Sequence, residues 1–169
     1  MITRSIALGL LVMLSGHIQA DNPYSPDESR AIREQCIELG TKYAHYLDTG
    51  RGDRVADLFA EQGTWQGGSA KLVGPENIKI AFAGRPKTRR TIHLVSNHQV
   101  EIISRNLAIV DSHFVLYRTE VGSGVVPIDD QPVRVGRYHD ECVRLESGWL
   151  LQSRRMEEVF ARPVKSSNP

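Results

Sequence analysis

The chain has 169 residues, of which 40% are hydrophobic and 24% are charged, so it can bury one good core but not two. Its 21 lysines and arginines are balanced by 20 aspartates and glutamates, which gives a formal net charge of +1. A nearly neutral chain does not favour nucleic acid or anionic lipid as a partner, and we expect a small-molecule substrate or ligand instead.

The first twenty residues are predicted to be a secretory signal. Arg4 precedes an apolar run from Ile6 to Leu14, and a short polar stretch then ends at Ala20. The run is shorter than the roughly 20 apolar residues that a membrane-spanning helix needs, and it lacks the polar face of a structural first helix, which is the alternative. We expect cleavage after Ala20, a periplasmic or secreted protein, and no membrane span in the mature chain.

Export affects how the two cysteines are interpreted. In an oxidising compartment Cys36 and Cys142 could form a disulfide, but two buried unpaired thiols are equally compatible with the sequence. Neither cysteine lies in a motif typical of a catalytic nucleophile, so the sequence leaves both alternatives open.

The first predicted element of the mature chain is a long helix. Ser25 and Glu28 have the spacing of a capping box, with Pro26 in the first turn. Apolar residues then recur every three or four positions as far as Leu47, which predicts five to six turns with one buried stripe. Thr49 and the glycines after it end the helix.

Two shorter helices are predicted next. Asp53 can cap one that continues through Phe59 and closes at Gly63. Trp65 begins a short extended piece, and a third helix opens at Pro75 and ends before Pro86.

The second half of the chain changes to the pattern of long antiparallel strands. Four runs rich in Val, Ile, Tyr, His and Arg are separated by turn signals. The predicted strands are Thr91–Ile103, Ala108–Val121, Pro132–Leu145 and Trp149–Phe160. Helices followed by strands predict an α+β fold, with one domain over residues 21–163 and a disordered tail over 164–169.

One predicted strand carries a candidate for proton transfer. On a period of two, His93, Val95, Asn97, Gln99 and Glu101 share one face. If the long helix crosses the concave side of the sheet, its last residue, an aspartate at position 48, can approach His93. A carboxylate at one imidazole nitrogen fixes the tautomer and leaves the other nitrogen free as a general base.

Six segments share their order and spacing with one known family. They are Tyr43–Asp53, Leu58–Glu61 with Trp65, Gly74–Ile78, Thr91–Asn97, Gly136–Asp140, and Gly148-Trp149 followed by Arg154. Together they resemble the SnoaL-like family of the nuclear-transport-factor-2-like superfamily, and the match runs from Ala31 to Val159. Members of that family include scytalone dehydratase, a hexachlorocyclohexane dehydrochlorinase, bile acid dehydratase and ketosteroid isomerases.

The resemblance implies a cone, formed by a strongly curved antiparallel sheet wrapped around the long N-terminal helix, with an apolar pocket inside. In dehydrochlorinase-like members, the residues matching Asp48 and His93 form the catalytic pair, and an arginine matching Arg154 lies across the pocket. We therefore expect these three to be catalytic, without a metal or another cofactor. A surface position beside Arg155 is the alternative for Arg154. The residues expected to contact substrate are Tyr43, Trp65, Asn97, Phe114, Leu116 and Tyr138.

Two functions of different classes follow from these expectations. The first is a lyase or isomerase that acts on a small hydrophobic, ring-containing substrate, in a homodimer or homotrimer. The second is a non-catalytic ligand-binding protein or assembly subunit with the same fold, because fold alone does not specify a reaction. Four basic residues between Arg85 and Arg90 either border the pocket mouth or form a solvated charge cluster.

Overall fold

The computed structural model describes residues 23–120 and 132–162. The predicted signal sequence over residues 1–20, the loop over 122–131 and the tail over 164–169 lie outside the described residues. Within the described ranges, no helix combines the length and the apolar character needed to cross a bilayer.

The long first helix is confirmed as α1 (Pro26–Asp48). The Ser25 hydroxyl accepts a hydrogen bond from the Glu28 backbone N–H at 3.1 Å, and the Glu28 carboxylate accepts one from the Ser25 backbone N–H at 2.9 Å. This capping box satisfies donors that the first helical turn would otherwise leave unpaired. The buried stripe of the helix is Ile32, Cys36, Leu39, Tyr43 and Leu47.

The predicted second helix is wrong after Leu58. A 3₁₀ segment occupies Gly52–Leu58, and strand β1 (Phe59–Gly67) begins where the helix was expected to continue. Phe59 pairs with Leu151 near the end of the chain, and a Cβ on Gly63 would lie 2.9 Å from the Leu151 carbonyl oxygen. Pairing with a distant strand therefore decides the local structure, and Gly63 allows a close approach of two backbones instead of closing a helix.

The remaining elements follow the predicted order. Strand β2 (Ala70–Val73) forms a hairpin with β1, and α2 (Pro75–Ala83) is the third predicted helix. The long strands are β3 (Arg90–Ser104), β4 (Leu107–Thr119), β5 (Arg134–Leu145) and β6 (Gly148–Ala161).

All six strands form one curved, unclosed sheet in the order β2-β1-β6-β5-β4-β3, which confirms the predicted α+β class. Every neighbouring pair is antiparallel except β1 and β6, which run parallel. Helix α1 packs against β3, β4 and β6, so the core lies between this helix and the inner face of the sheet. Residues that alternate along each long strand therefore point either to α1 or to the outside.

Candidate functional site

The candidate site begins where the end of α1 meets the start of β3. The Thr91 hydroxyl donates a hydrogen bond to the Leu47 carbonyl at 3.3 Å and joins the two elements. Asp48 is the last residue of the helix, and His93 is the fourth residue of the strand. The His93 backbone N–H donates to Asp48 Oδ2 at 2.8 Å, and His93 Nδ1 lies 2.6 Å from Asp48 Oδ1. The predicted pair is thus held by two hydrogen bonds.

Burial and hydrogen bonding oppose each other at Asp48. Burial alone raises the pKa of its carboxyl, but the hydrogen bonds from the His93 ring and backbone outweigh burial and hold the pKa below its ordinary value. The carboxylate is therefore charged at neutral pH. A charged acceptor at Nδ1 requires Nδ1 to carry the hydrogen, which leaves the Nε2 lone pair free when the ring is neutral.

Arg154 lies in the interior of the protein, not on the surface. Its side chain is 1% exposed, and it binds the equally buried Asp140 through two hydrogen bonds of 2.8 and 2.5 Å. Burial on its own lowers the pKa of Arg154, but the adjacent Asp140 carboxylate more than compensates and raises it. The guanidinium is therefore charged. Its Nη1 is buried and has no hydrogen-bond partner among the described residues.

Two tyrosine rings enclose this guanidinium. Arg154 Cζ lies 4.3 Å from the ring centre of Tyr43 and 4.5 Å from that of Tyr138. A cation between two aromatic faces, away from water, gains cation–π energy from both rings. Helix α1 makes room for it with Gly40, where a Cβ would lie 3.2 Å from the arginine Nη2.

Tyr43 connects the arginine to the histidine. Its ring makes an edge-to-face contact with His93 at 6.4 Å between ring centres. Its hydroxyl accepts a hydrogen bond from Trp65 Nε1 at 3.0 Å, which leaves the phenolic hydrogen available for donation. Burial raises the pKa of Tyr43, so the phenol is neutral.

The residues predicted to contact substrate belong to the interior, except for Asn97. Phe114 stacks on Tyr138 with the ring centres 4.5 Å apart, and both side chains are about 1% exposed. Leu116 is buried beside them, and Trp65 is half-buried. These residues and Tyr43 belong to one apolar cluster, in which the Tyr43 and Tyr138 rings contact the arginine.

The structure does not place Asn97 on the predicted face of its strand. A β-bulge in β3 places Asn97 and His98 opposite a single residue of β4, and Asn97 has a φ of 54°. The bulge reverses the alternation of the strand, so Asn97 is exposed and its amide contacts the exposed His113 at 3.0 Å. It does not share the face of His93.

The same bulge turns His98 inward, whereas a regular period of two would place it on the face opposite to His93. Its Nε2 is buried without a hydrogen-bond partner among the described residues, and it interacts electrostatically with Asp140 and Arg154. Burial lowers the pKa of His98, which favours the neutral ring. Asp140 was also missed as a site residue, although a buried arginine requires such a partner.

A second aspartate–histidine pair lies on the outer face of the sheet. Asp111 and His139 are directly opposite each other on β4 and β5, with Oδ1 and Nδ1 2.8 Å apart. Their side chains are 61% and 42% exposed. The pair has the chemistry of Asp48 and His93 without the enclosure.

Cys36 and Cys142 are both buried and both free. A hydrogen bond with the Cys36 thiol, together with burial, raises the pKa of Cys142, so it is a poor nucleophile. Within residues 23–120 and 132–162, no group of three or more His, Cys, Asp or Glu side chains is arranged to hold a metal ion.

Comparison with known proteins gives a family and a set of solved structures. The model of the SnoaL-like domain matches residues 28–155. A scytalone dehydratase-like protein from Novosphingobium aromaticivorans superposes with a TM-score of 0.70 at 20% identity, over 86% of this chain and 97% of its own. A hexachlorocyclohexane dehydrochlorinase from Novosphingobium barchaimii superposes with a TM-score of 0.67 at 17% identity, over 84% and 96%.

A protein of unknown function from Mycobacterium tuberculosis is similar to the same degree, with a TM-score of 0.67 at 18% identity over 79% of this chain and 76% of its own. No curated protein matches the chain. At these identities the solved structures establish the fold, and the chemistry has to be argued from the residues of the site.

Proposed function

This chain belongs to the family of SnoaL-like domains. We propose that its aspartate–histidine pair catalyses either an elimination, as in a dehydratase-type lyase, or an isomerisation. The observation that carries the proposal is the hydrogen bond of 2.6 Å between Asp48 and a His93 side chain that is only 4% exposed. Both a dehydratase and a dehydrochlorinase remove a proton and a leaving group from neighbouring atoms, and structures related to such enzymes share this fold.

The proposed reaction begins with proton abstraction by His93. Nε2 takes a proton from a carbon of the substrate, and the electron pair of that C–H bond forms the new double bond as the leaving group departs. Asp48 stabilises the imidazolium that results, since the carboxylate already accepts the Nδ1 hydrogen. In an isomerisation, His93 returns the proton to a different carbon.

Arg154 and Tyr43 are proposed to stabilise the negative charge that develops on the leaving group or enolate. Arg154 Nη1 is a buried donor without a protein partner among the described residues, and the Tyr43 hydroxyl is a neutral donor. One well-placed donor of this kind contributes about 2.7–4 kcal/mol to a transition state. The base, its orienting carboxylate and the cation are all side chains, so the proposed mechanism uses no cofactor. The aromatic cluster supports a small hydrophobic substrate that contains a ring.

The proposal is tested by assaying ring alcohols and ring halides for elimination, followed as the ultraviolet absorption of the new double bond. We expect His93→Gln and Asp48→Asn to lower kcat/KM by about 10²–10⁴-fold, the usual contribution of acid–base catalysis. His139→Gln is the matched control and should leave kcat/KM unchanged. Undiminished turnover in His93→Gln would reject the proposal.

The second candidate function is ligand binding without turnover. It is favoured by the two hydrogen bonds between Arg154 and Asp140, because an arginine already paired with a carboxylate can serve the fold alone. In that case ring compounds would bind and be recovered unchanged. His93→Gln would alter their affinity, and neither the wild type nor the variant would show turnover.

A further inference from the structure

A basic cleft of about 150 Å³ lies between the end of α1 and the segment that follows α2. One wall comes from the end of α1 and the turn after it, and the other comes from the end of α2 and the basic segment predicted from the sequence. The lining residues are Leu47, Gly50, Gly52, Asp53, Phe82, Ala83, Arg85, Pro86, Lys87 and Arg89.

The cleft shares its inner wall with the candidate site. Leu47 directly precedes Asp48, and the Phe82 ring makes an edge-to-face contact with Tyr43 at 5.9 Å between ring centres. Tyr43 in turn contacts His93. A molecule in the cleft therefore lies against two residues that adjoin the aspartate–histidine pair, Leu47 through the chain and Phe82 through the Tyr43 ring.

The cleft has an excess of positive charge. Three cations line it, against the single carboxylate of Asp53. Arg89 is neutralised by Glu120, with Nε and Oε1 2.8 Å apart, and Glu120 also lies 3.7 Å from Arg118. The Glu120 carboxylate is thus shared by two arginines. The positive charge of the cleft that is not neutralised comes from Lys87 and Arg85.

Arg85 differs from the other arginines near this end of the sheet. It is half-buried, its guanidinium lies over the Phe82 ring at 5.4 Å, and no carboxylate pairs with it among the residues that the structure describes. Burial lowers its pKa, as do the nearby positive charges of Arg89 and Arg118. A desolvated cation among like charges is costly unless an anion completes the site.

We propose that the substrate of the reaction proposed above carries a carboxylate, which Arg85 binds in this cleft while the ring of the substrate extends along Phe82 towards His93. The planar guanidinium fork matches a carboxylate in two parallel hydrogen bonds, and its contact with the Phe82 ring restricts the orientation of the fork. Asp53 also lines the cleft and repels a second anionic group, so one carboxylate per ligand is the expected charge.

Equilibrium binding tests this inference without knowledge of the natural substrate. The probes are naphthalene-2-carboxylate and its uncharged counterpart naphthalene-2-carboxamide, measured by isothermal titration calorimetry. The wild-type protein should bind the carboxylate about tenfold or more tightly than the amide, because a hydrogen-bonded ion pair adds to the same ring contacts. Arg85→Gln should remove this preference, and Arg85→Lys should keep part of it.

Lys87→Gln is the matched control, because it removes a neighbouring exposed cation of the same cleft and should change the preference by less than about threefold. Thermal unfolding of each variant shows that it is folded. Equal binding of the two probes by the wild type, no binding of the carboxylate at millimolar concentration, or a preference that survives Arg85→Gln would each overturn the inference.

The His93→Gln variant separates this inference from the proposed function. It should keep the full preference for the carboxylate although it has lost turnover. If the preference is present while His93→Gln turns over ring compounds like the wild type, the carboxylate site stands and the proposed reaction fails. If turnover requires His93 but the preference is absent, the reaction stands and the carboxylate site fails.

Discussion

Similar aspartate–histidine pairs lie at the two faces of the sheet in different surroundings, and the inner aspartate comes from the end of α1. On the inner face, the Asp48 and His93 side chains are 15% and 4% exposed; on the outer face, those of Asp111 and His139 are 61% and 42% exposed. The distances between carboxylate oxygen and Nδ1 are 2.6 and 2.8 Å. A hydrogen-bonded aspartate–histidine pair is therefore not by itself a site. Enclosure, which removes water and strengthens the electrostatic interaction, distinguishes the inner pair from the outer one.

The arginine–carboxylate pairs differ in the same way. Arg154 binds Asp140 inside, whereas Arg137 lies 3.6 Å from Glu157 outside, with side chains that are 55% and 50% exposed. Each pair joins β5 to β6, and the residues are directly opposite each other in the sheet. Strand alternation alone decides which pair is enclosed.

Breaking the inner arginine pair should have the largest effect on stability. Asp140→Asn leaves the buried Arg154 guanidinium without a full counter-charge, and we expect a loss of about 3–5 kcal/mol in the free energy of unfolding. Glu157→Gln removes the matched outer carboxylate and should cost less than about 1 kcal/mol. Urea unfolding monitored by circular dichroism measures both. Equal losses would show that the enclosure of Arg154 has no energetic consequence.

The two aspartate–histidine pairs should also differ in how their contribution to stability depends on pH. We expect this effect to be smaller than the loss in Asp140→Asn. The pKa of Asp48 is lowered in the folded protein, so its contribution to stability is fully present above the unfolded-state pKa and is lost as the pH falls through the folded-state pKa. The gap in unfolding free energy between wild type and Asp48→Asn should therefore be largest near neutral pH and close on acidification. The unfolding free energy of Asp111→Asn should differ little from that of the wild type at every pH. A gap between wild type and Asp48→Asn that widens in acid would contradict the predicted sign.

Local sequence signals were sufficient for the elements whose structure is set locally. The Ser25–Glu28 capping box and the apolar stripe predicted α1 to its last residue, and turn residues between long apolar runs predicted the strands. The helix predicted over the segment from Phe59 to Gly63 was wrong, because the structure of this segment depends on pairing with Leu151, some ninety residues later. Helix period and turn signals carry no information about such a pairing.

The site was predictable only as far as strand alternation held. His93 lies before the bulge, where the period of two groups it correctly with Val95, and the family resemblance identified that face as the inner one. Asn97 and His98 lie in the bulge, so their faces are exchanged relative to a regular strand. The Asp140–Arg154 pair depends on the register of β5 against β6, which the sequence left uncertain.

The most direct measurement of the central claim is the tautomer of His93, read by long-range proton–nitrogen NMR on the wild type and on Asp48→Asn. A base whose Nδ1 hydrogen is held by Asp48 should, in its neutral form, carry that hydrogen on Nδ1 and leave Nε2 unprotonated, and Asp48→Asn should weaken this preference. A neutral His93 with its hydrogen on Nε2 in the wild type would contradict the proposed mechanism, because Nε2 would have no lone pair with which to accept a proton.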